Sequence, residues 1–367
     1  MLAPLRDHLY PKDLMTSSLL RTVKERYFSR ISAYINPNDS GFVETQWIRS
    51  EDVNVEHLLD VFTTIDASST VVWEACENFI RHLYWHRVRL TILGPRIEGL
   101  PDDHSSKRQC LFQLARLFDV VGNRAECKRL LTGTLKLCRE RGSDVMVAQV
   151  LRYFSDVNRR MGLCKEGIDQ VKEALAIYEK RGDTEFQAEC LNKFAFLLDK
   201  DEQLDAAEEA ASRAINLIGE KGNQSRLYES HHALGGIHQS KGETEKAISH
   251  YKMALEIAIP FGWHDALFWT HYSLGLLFRN DRRFEDAQAH IERAKPFTAN
   301  EPYFLARAMH LQASIWYRQH RLEDAKSEAL RAADAFEKLG AAANVEKCGK
   351  LLRAIQEELD VGLGFSG

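Results

Sequence analysis

Residues 234–258, LGGIHQSKGETEKAISHYKMALEIA, keep small side chains at Gly235, Ala247 and Ala254 inside two amphipathic helical patterns joined at Lys241-Gly242-Glu243. Stepping by forty from Ala247 reaches Cys127, Gly167, Ala207 and Ala287, and a further step of 38 reaches Ala325. Seven residues after these anchors stand Thr134, Ala174, Ala214, Ala254, Ala294 and Ala332; twelve before them stand Ala115, Ser155, Ala195, Gly235, Gly275 and Ala313. Such restricted size is needed where two helices cross closely, because a large side chain would hold their axes apart. Larger residues flank these sites, as at Leu114, Phe154, Phe194, Leu234 and Leu274, and at Phe118, Leu198, Phe278 and Trp316, with Asn158 and His238 as polar members of the second set.

Glycines fall on a twenty-residue schedule at Gly122, Gly142, Gly162, Gly182, Gly222, Gly242 and Gly262, and Gly340 continues it once the two-residue deletion is allowed for. Each is expected at a helix end, where the left-handed conformation costs glycine least. Capping residues follow several of them, as in Gly142-Ser143, Gly182-Asp183 and Gly222-Asn223, and Pro302 suits a helix start. The expected architecture is therefore an all-α array of antiparallel helix pairs, about forty residues per pair.

The spacing resembles the tetratricopeptide repeat, with Leu234-Gly235, Gly242, Ala247, Tyr251 and Ala254 in register. The unit here is longer than the usual 34 residues, as in kinesin light chains and related scaffolds. The resemblance implies a right-handed α-solenoid with six repeats over 105–340, a capping helix over 341–359 and a flexible tail over 360–367. Upstream, 17–104 reads as degenerate helical hairpins, from helical patterning at 17–35, 42–65 and 69–90.

Met1-Leu2-Ala3-Pro4-Leu5-Arg6-Asp7-His8-Leu9 resembles the segment that closes the winged-helix part of NACHT and NB-ARC signalling ATPases, so 1–16 reads as a remnant of it. Residues 47–59, WIRSEDVNVEHLL, and 79–86, FIRHLYWH, are similar to the repeat-bearing C-terminal half of such proteins in mushroom-forming fungi. A nucleotide switch needs GxxxxGK[ST], which the sequence lacks, so the resemblance implies a sensor region without its nucleotide domain. A free-standing adaptor that bridges proteins in a cytosolic complex is the alternative.

Composition narrows the chemistry. The 367 residues carry 49 basic and 53 acidic side chains, a net charge of −4, which argues against nucleic-acid binding. Seven cysteines without a CxxC pair read as buried thiols of a cytoplasmic protein, and no apolar run approaches a membrane span. The first residues carry charge and proline too early for a secretory signal.

No catalytic, metal or cofactor site is expected. Gly362-Leu363-Gly364-Phe365-Ser366-Gly367 has the letters G-x-G-x-x-G without a following helix. His82 and His86 lack the glutamate of H-E-x-x-H and a third ligand, and Glu51, Asp52, Glu56 and Asp60 read as a solvated helix face. A binding scaffold with no enzymatic activity remains.

In the repeat register, helix A side chains at four places line the concave groove where a protein or peptide would lie. These are Trp269, Tyr272, Leu276 and Arg279, then Arg307, His310, Ser314 and Tyr317, preceded by Glu229, His232, Gly236 and Gln239. Earlier units offer Phe112, Arg116 and Asp119, then Arg152, Asp156 and Arg159, then Asn192, Phe196 and Asp199. Trp, Tyr and Arg most often carry interface energy, so Trp269, Tyr272, Arg279, Arg307, His310 and Tyr317 lead the expected contacts, with His232, Arg152, Arg159 and Asn192 behind them. Because Arg152, Asn192 and His232 stand where converging donors would be needed, the carboxylate clamp of other tetratricopeptide domains is not expected.

Overall fold

The computed structural model describes Trp73, Cys76, residues 93–299 and residues 301–364. The readings made for Met1–Leu9, for 47–60, for His82 and His86 and for the last three residues lie outside the described residues. Among the described residues there are fourteen α-helices and no strand.

The chain divides into two compact units, Met1–Ile177 and Tyr178–Gly367. The first holds α1 (Leu93–Glu98), α2 (Lys107–Val120), α3 (Arg124–Glu140), α4 (Asp144–Arg160) and most of α5 (Cys164–Arg181). The second holds the end of α5, then α6 (Thr184–Lys200), α7 (Leu204–Ile218), α8 (Gln224–Ser240), α9 (Thr244–Phe261), α10 (His264–Asn280) and α11 (Phe284–Ala294). A 3-10 turn, Lys295–Thr298, precedes α12 (Pro302–Arg318), α13 (Leu322–Lys338) and α14 (Ala342–Gly364). The last helix thus continues past the expected end at residue 359.

All eighteen small sites are buried. Ala207, Ala247, Ala287 and Ala325 show no exposed surface. At Gly235 the reason is explicit: a Cβ there would stand 2.6 Å from Cδ1 and Cε1 of Tyr251, whose ring lies flat against the α8 backbone. The neighbouring Gly236 has room, its nearest side-chain atom being the Tyr251 hydroxyl at 3.7 Å. The two polar members of the flanking set are buried with partners. Asn158 Nδ2 donates to Gln170 Oε1 at 3.0 Å, and His238 Nδ1 lies 2.7 Å from Glu243 Oε2.

Helix ends follow the schedule with one correction. Gly122, Gly142, Gly162, Gly182, Gly242, Gly262 and Gly340 have positive φ, but α7 stops early and Gly219 (φ 65) takes the left-handed place expected of Gly222. Gly222 serves another purpose, because any side chain there would run into the Ile218 carbonyl as the loop folds back on the helix end. Where the schedule meets no glycine the same conformation is imposed on Glu202 (φ 61), Arg282 (φ 61) and His320 (φ 57). Of the three expected caps only Asn223 acts through its side chain, accepting from the amides of Ser225 and Arg226 at 3.1 and 3.2 Å. Pro296 sits in the 3-10 turn that shortens α11, since proline cannot donate to a continuing helix.

Two adjacent hairpins share a further device. His231 of α8 faces His250 of α9 with Nδ1 atoms 3.2 Å apart, and His271 of α10 faces His290 of α11 at 3.0 Å. His238 stacks on His250 at 5.2 Å, and Phe278, forty residues later, stacks on His290 at 5.3 Å.

Two outcomes follow for stability. Gly235→Ala is expected to cost about 1–3 kcal/mol by overpacking against Tyr251, whereas Gly236→Ala gains up to about 1 kcal/mol of helix propensity; urea denaturation of both variants reads the contrast. Arg282→Gly is expected to raise stability by about 1 kcal/mol, because it relieves a left-handed side chain; a lower midpoint in thermal unfolding would contradict that account.

Candidate functional site

Helices α10, α12, α13 and α14 of the second unit enclose a pocket of about 270 Å³ lined by Tyr272, Leu276, Arg279, Arg307, His310, Phe336, Asn344 and Lys347. Behind the lining residues Phe268 is fully buried and stacked on Phe304 with ring centroids 4.2 Å apart. Trp269 packs edge-on against both rings, and Tyr272 is 5% exposed. Burial pushes the Tyr272 phenol above its ordinary range, so it stays protonated.

Onto these rings the chain lays Arg307. Its guanidinium carbon is 4.7 Å from the centre of the Tyr272 ring and 5.3 Å from that of Trp269, a cation–π arrangement in which Arg307 also hydrogen-bonds the Tyr272 side chain. Its Nε atom is buried without a hydrogen-bond partner. Arg279 is fixed differently: Nη1 donates to Ser314 Oγ at 2.9 Å, and Nε and Nη2 donate to Asn280 Oδ1. Lys347 and Asn344 come from α14, the latter donating to the Tyr303 hydroxyl at 3.2 Å.

The electrostatics are one-sided. No carboxylate lines the pocket, and Arg279, Arg307 and Lys347 form no ion pair among the described residues. Burial, followed by the nearby Arg318 charge, lowers the Arg279 pKa. His310 is pushed down to about 4, first by burial and then by Arg307, Arg279 and Lys347, so it is a neutral imidazole among cations.

Of the residues expected from the repeat register, Tyr272, Arg279, Arg307 and His310 are thus brought together, and Trp269 supports them from behind. Tyr317 lies outside the pocket, packed with α13 and α14. His232 is engaged between α8, α9 and α10, its ring edge-on to Tyr251 at 5.4 Å and its Nε2 3.4 Å from Ser273 Oγ. Asn192 does not line an open surface. It is 1% exposed, donating to the Arg226 carbonyl at 3.1 Å and accepting from Ser230 Oγ at 2.7 Å, so it bonds α6 to α8. In the first unit Arg159 pairs with Asp156 at 3.5 Å, and Arg152 is half-buried on the same helix.

Phe336, Asn344 and Lys347 were not expected in the site. A signal for Lys347 exists: it stands forty residues after Arg307, so the groove register continues into α14.

Comparison with known proteins gives the wider setting. Residues 226–297 match the tetratricopeptide repeat family. No curated protein matches the sequence. Among solved structures, the chain is similar to a Rap protein complexed with competence and sporulation factor, with TM-score 0.58 and 12% identity, over 91% of this chain and 99% of that one. A signal transduction ATPase with numerous domains from Pyrococcus horikoshii, carrying a tetratricopeptide repeat sensor, gives TM-score 0.57 and 15% identity over 97% of this chain and 55% of that one. The Cut9–Hcn1 hetero-tetramer gives 0.53 and 15%, over 92% of this chain and 59% of that one. The fold is an all-α tetratricopeptide-like solenoid. Repeat proteins of this kind are generally non-catalytic scaffolds, and among the described residues no helix is long and apolar enough to cross a membrane and no cluster of metal ligands occurs.

Buried histidines make the second unit sensitive to acid. His232, His250, His271, His290 and His310 are each lowered from 6.5 to about 4, chiefly by burial. Between those values the unfolded chain binds protons that the folded chain excludes, so stability rises with pH through the interval and is lost on acidification. Calorimetry across that interval is expected to show the unfolding midpoint falling as pH falls, with a shallower slope in His310→Gln; a flat profile would refute it.

Proposed function

We propose that the chain is a non-catalytic scaffold that holds a protein or peptide partner on the face formed by α10, α12 and α14. The observation that carries this reading is the Trp269–Arg307–Tyr272 stack beside an open pocket. Arginine and aromatic side chains, already ordered by contacts to one another, supply binding energy with little further loss of rotamer freedom. An extended segment lying across α10, α12 and α14 would meet this stack and the Arg279 and Lys347 side chains beside it.

Within that reading, the role we favour is the sensor repeat region of a signalling ATPase of the type with numerous domains. It rests on the likeness of 1–16 to a winged-helix terminus and is supported by the Pyrococcus horikoshii structure, of which the chain spans about half. A free-standing adaptor is the second reading, favoured by the Rap protein, which the chain covers almost end to end. Sequencing the transcript upstream of Met1 separates them: a continuous frame encoding GxxxxGK[ST] supports the first, and a stop codon in frame supports the second.

Selection of a random peptide library on the purified chain is expected to yield binders whose affinity falls about tenfold or more in Trp269→Ala, the loss of roughly 2 kcal/mol typical of an interface hot spot. Equal affinity in the variant would remove this face from the binding surface.

A further inference from the structure

The pocket between α10, α12 and α14 has a charge pattern that the scaffold reading leaves unexplained. Arg279, Arg307 and Lys347 converge on about 270 Å³ of space with no carboxylate lining it. Many other cations of this protein have carboxylate partners, as exposed Arg213 does in Glu179 and half-buried Lys241 in Asp205 and Glu208, each 2.5 Å away. Here the opposite holds, and the donors are also preorganised. Arg307 is stacked, Arg279 is tethered to Ser314, and Arg307 Nε is buried with nothing to donate to. A site of prearranged cations with unspent donors is complementary to an oxyanion.

Charge and volume select among oxyanions. With His310 neutral, the three cations face a single group. A monocarboxylate would leave two positive charges uncompensated in a half-buried site, whereas a phosphomonoester, carrying about −1.5 to −2 at neutral pH with three acceptor oxygens, leaves about one. The space, at the lower end of the roughly 300–1,000 Å³ of small-molecule pockets, holds one such group and its first few carbons. Tyr272, Leu276 and Phe336 would contact the apolar stem.

We infer that this pocket is a phosphate-recognition subsite that takes a phosphorylated side chain of the peptide partner, with Arg279, Arg307 and Lys347 as its ligands. The assignment rests on the scaffold reading for its source of phosphate. Arg307 approaches with the N–H groups not used by Tyr272, Arg279 with those not used by Ser314 and Asn280, and Lys347 closes the site from α14. The His310 ring already bonds the Lys347 backbone, so its protonation would supply a second N–H to the ligand, and a bound phosphate anion would favour that protonation.

The last point supplies a reporter. The imidazole resonances of His310 are followed by NMR over a pH titration of the full chain, with inorganic phosphate, with O-phosphoserine and with acetate at matched ionic strength. The His310 midpoint is expected to rise with phosphate and O-phosphoserine and to stay in place with acetate. Lys347→Gln, at an exposed position that leaves the fold intact, and Arg307→Gln are each expected to weaken phosphate binding about tenfold, the loss of one charge-assisted hydrogen bond. In a second arm, peptide libraries with a fixed phosphoserine, glutamate or serine are compared for retention, and the phosphoserine set is expected to exceed the other two and inorganic phosphate.

A His310 midpoint indifferent to phosphate, an equal response to acetate, or an unchanged response in Lys347→Gln would overturn the subsite. Phosphate binding without retention of any peptide would instead overturn the scaffold reading. Retention of unphosphorylated peptides with a silent His310 would overturn the subsite alone.

Discussion

The structure depends on how closely successive helices can approach. At each crossing the side chain is kept small enough for a neighbour's ring or backbone to lie against the helix, and Gly235 beneath Tyr251 is the tightest instance among the described glycines that lie within helices. That contact sets the rotation of each helix about its axis, and the rotation decides which face packs and which remains accessible. Side chains forty residues apart thereby come to share a face. The pocket lining of Arg307 and Lys347 on different helices is a product of that repetition.

This constraint is also what made the fold readable. A packing site that must stay small in every hairpin leaves a period in the sequence, and the left-handed joints between helices leave another. Both needed no knowledge of distant contacts. The break at Gly219 was not readable, because Gly222 occupies the expected place for a different reason, clearance of the Ile218 carbonyl. The left-handed Glu202, Arg282 and His320 were likewise silent, since nothing in those side chains announces the conformation that packing imposes on them.

The site was partly readable for the same reason. Tyr272, Arg279, Arg307 and His310 sit at repeat places whose facing is fixed by the small residues beside them. Asn192 occupies the same kind of place, yet its amide is consumed by Ser230 and the Arg226 carbonyl. An amide at a groove position reads as surface until the hydrogen-bonding groups of the next hairpin are placed. Lys347 was assigned to a closing helix because small residues no longer mark its register, although its spacing from Arg307 was intact. Charge partnership was invisible in the same way: the overall balance is near neutral, and only the fold shows that acidic side chains are spent on exposed pairs, which contribute little, while three cations are left together.

The paired imidazoles of α8/α9 and α10/α11 carry a different message. Three ring positions, His231, His238 and His250 against His271, Phe278 and His290, correspond across a shift of forty with one replacement. His231 with His271 and His250 with His290 lie outside both the small and the flanking sets, and a match at such places is what a copied segment leaves. Unequal crossing-over between such copies would insert or excise a whole hairpin while every remaining helix keeps its facing. The length of the binding face is therefore open to change in whole modules, with the interfaces on either side of the new joint already matched to each other.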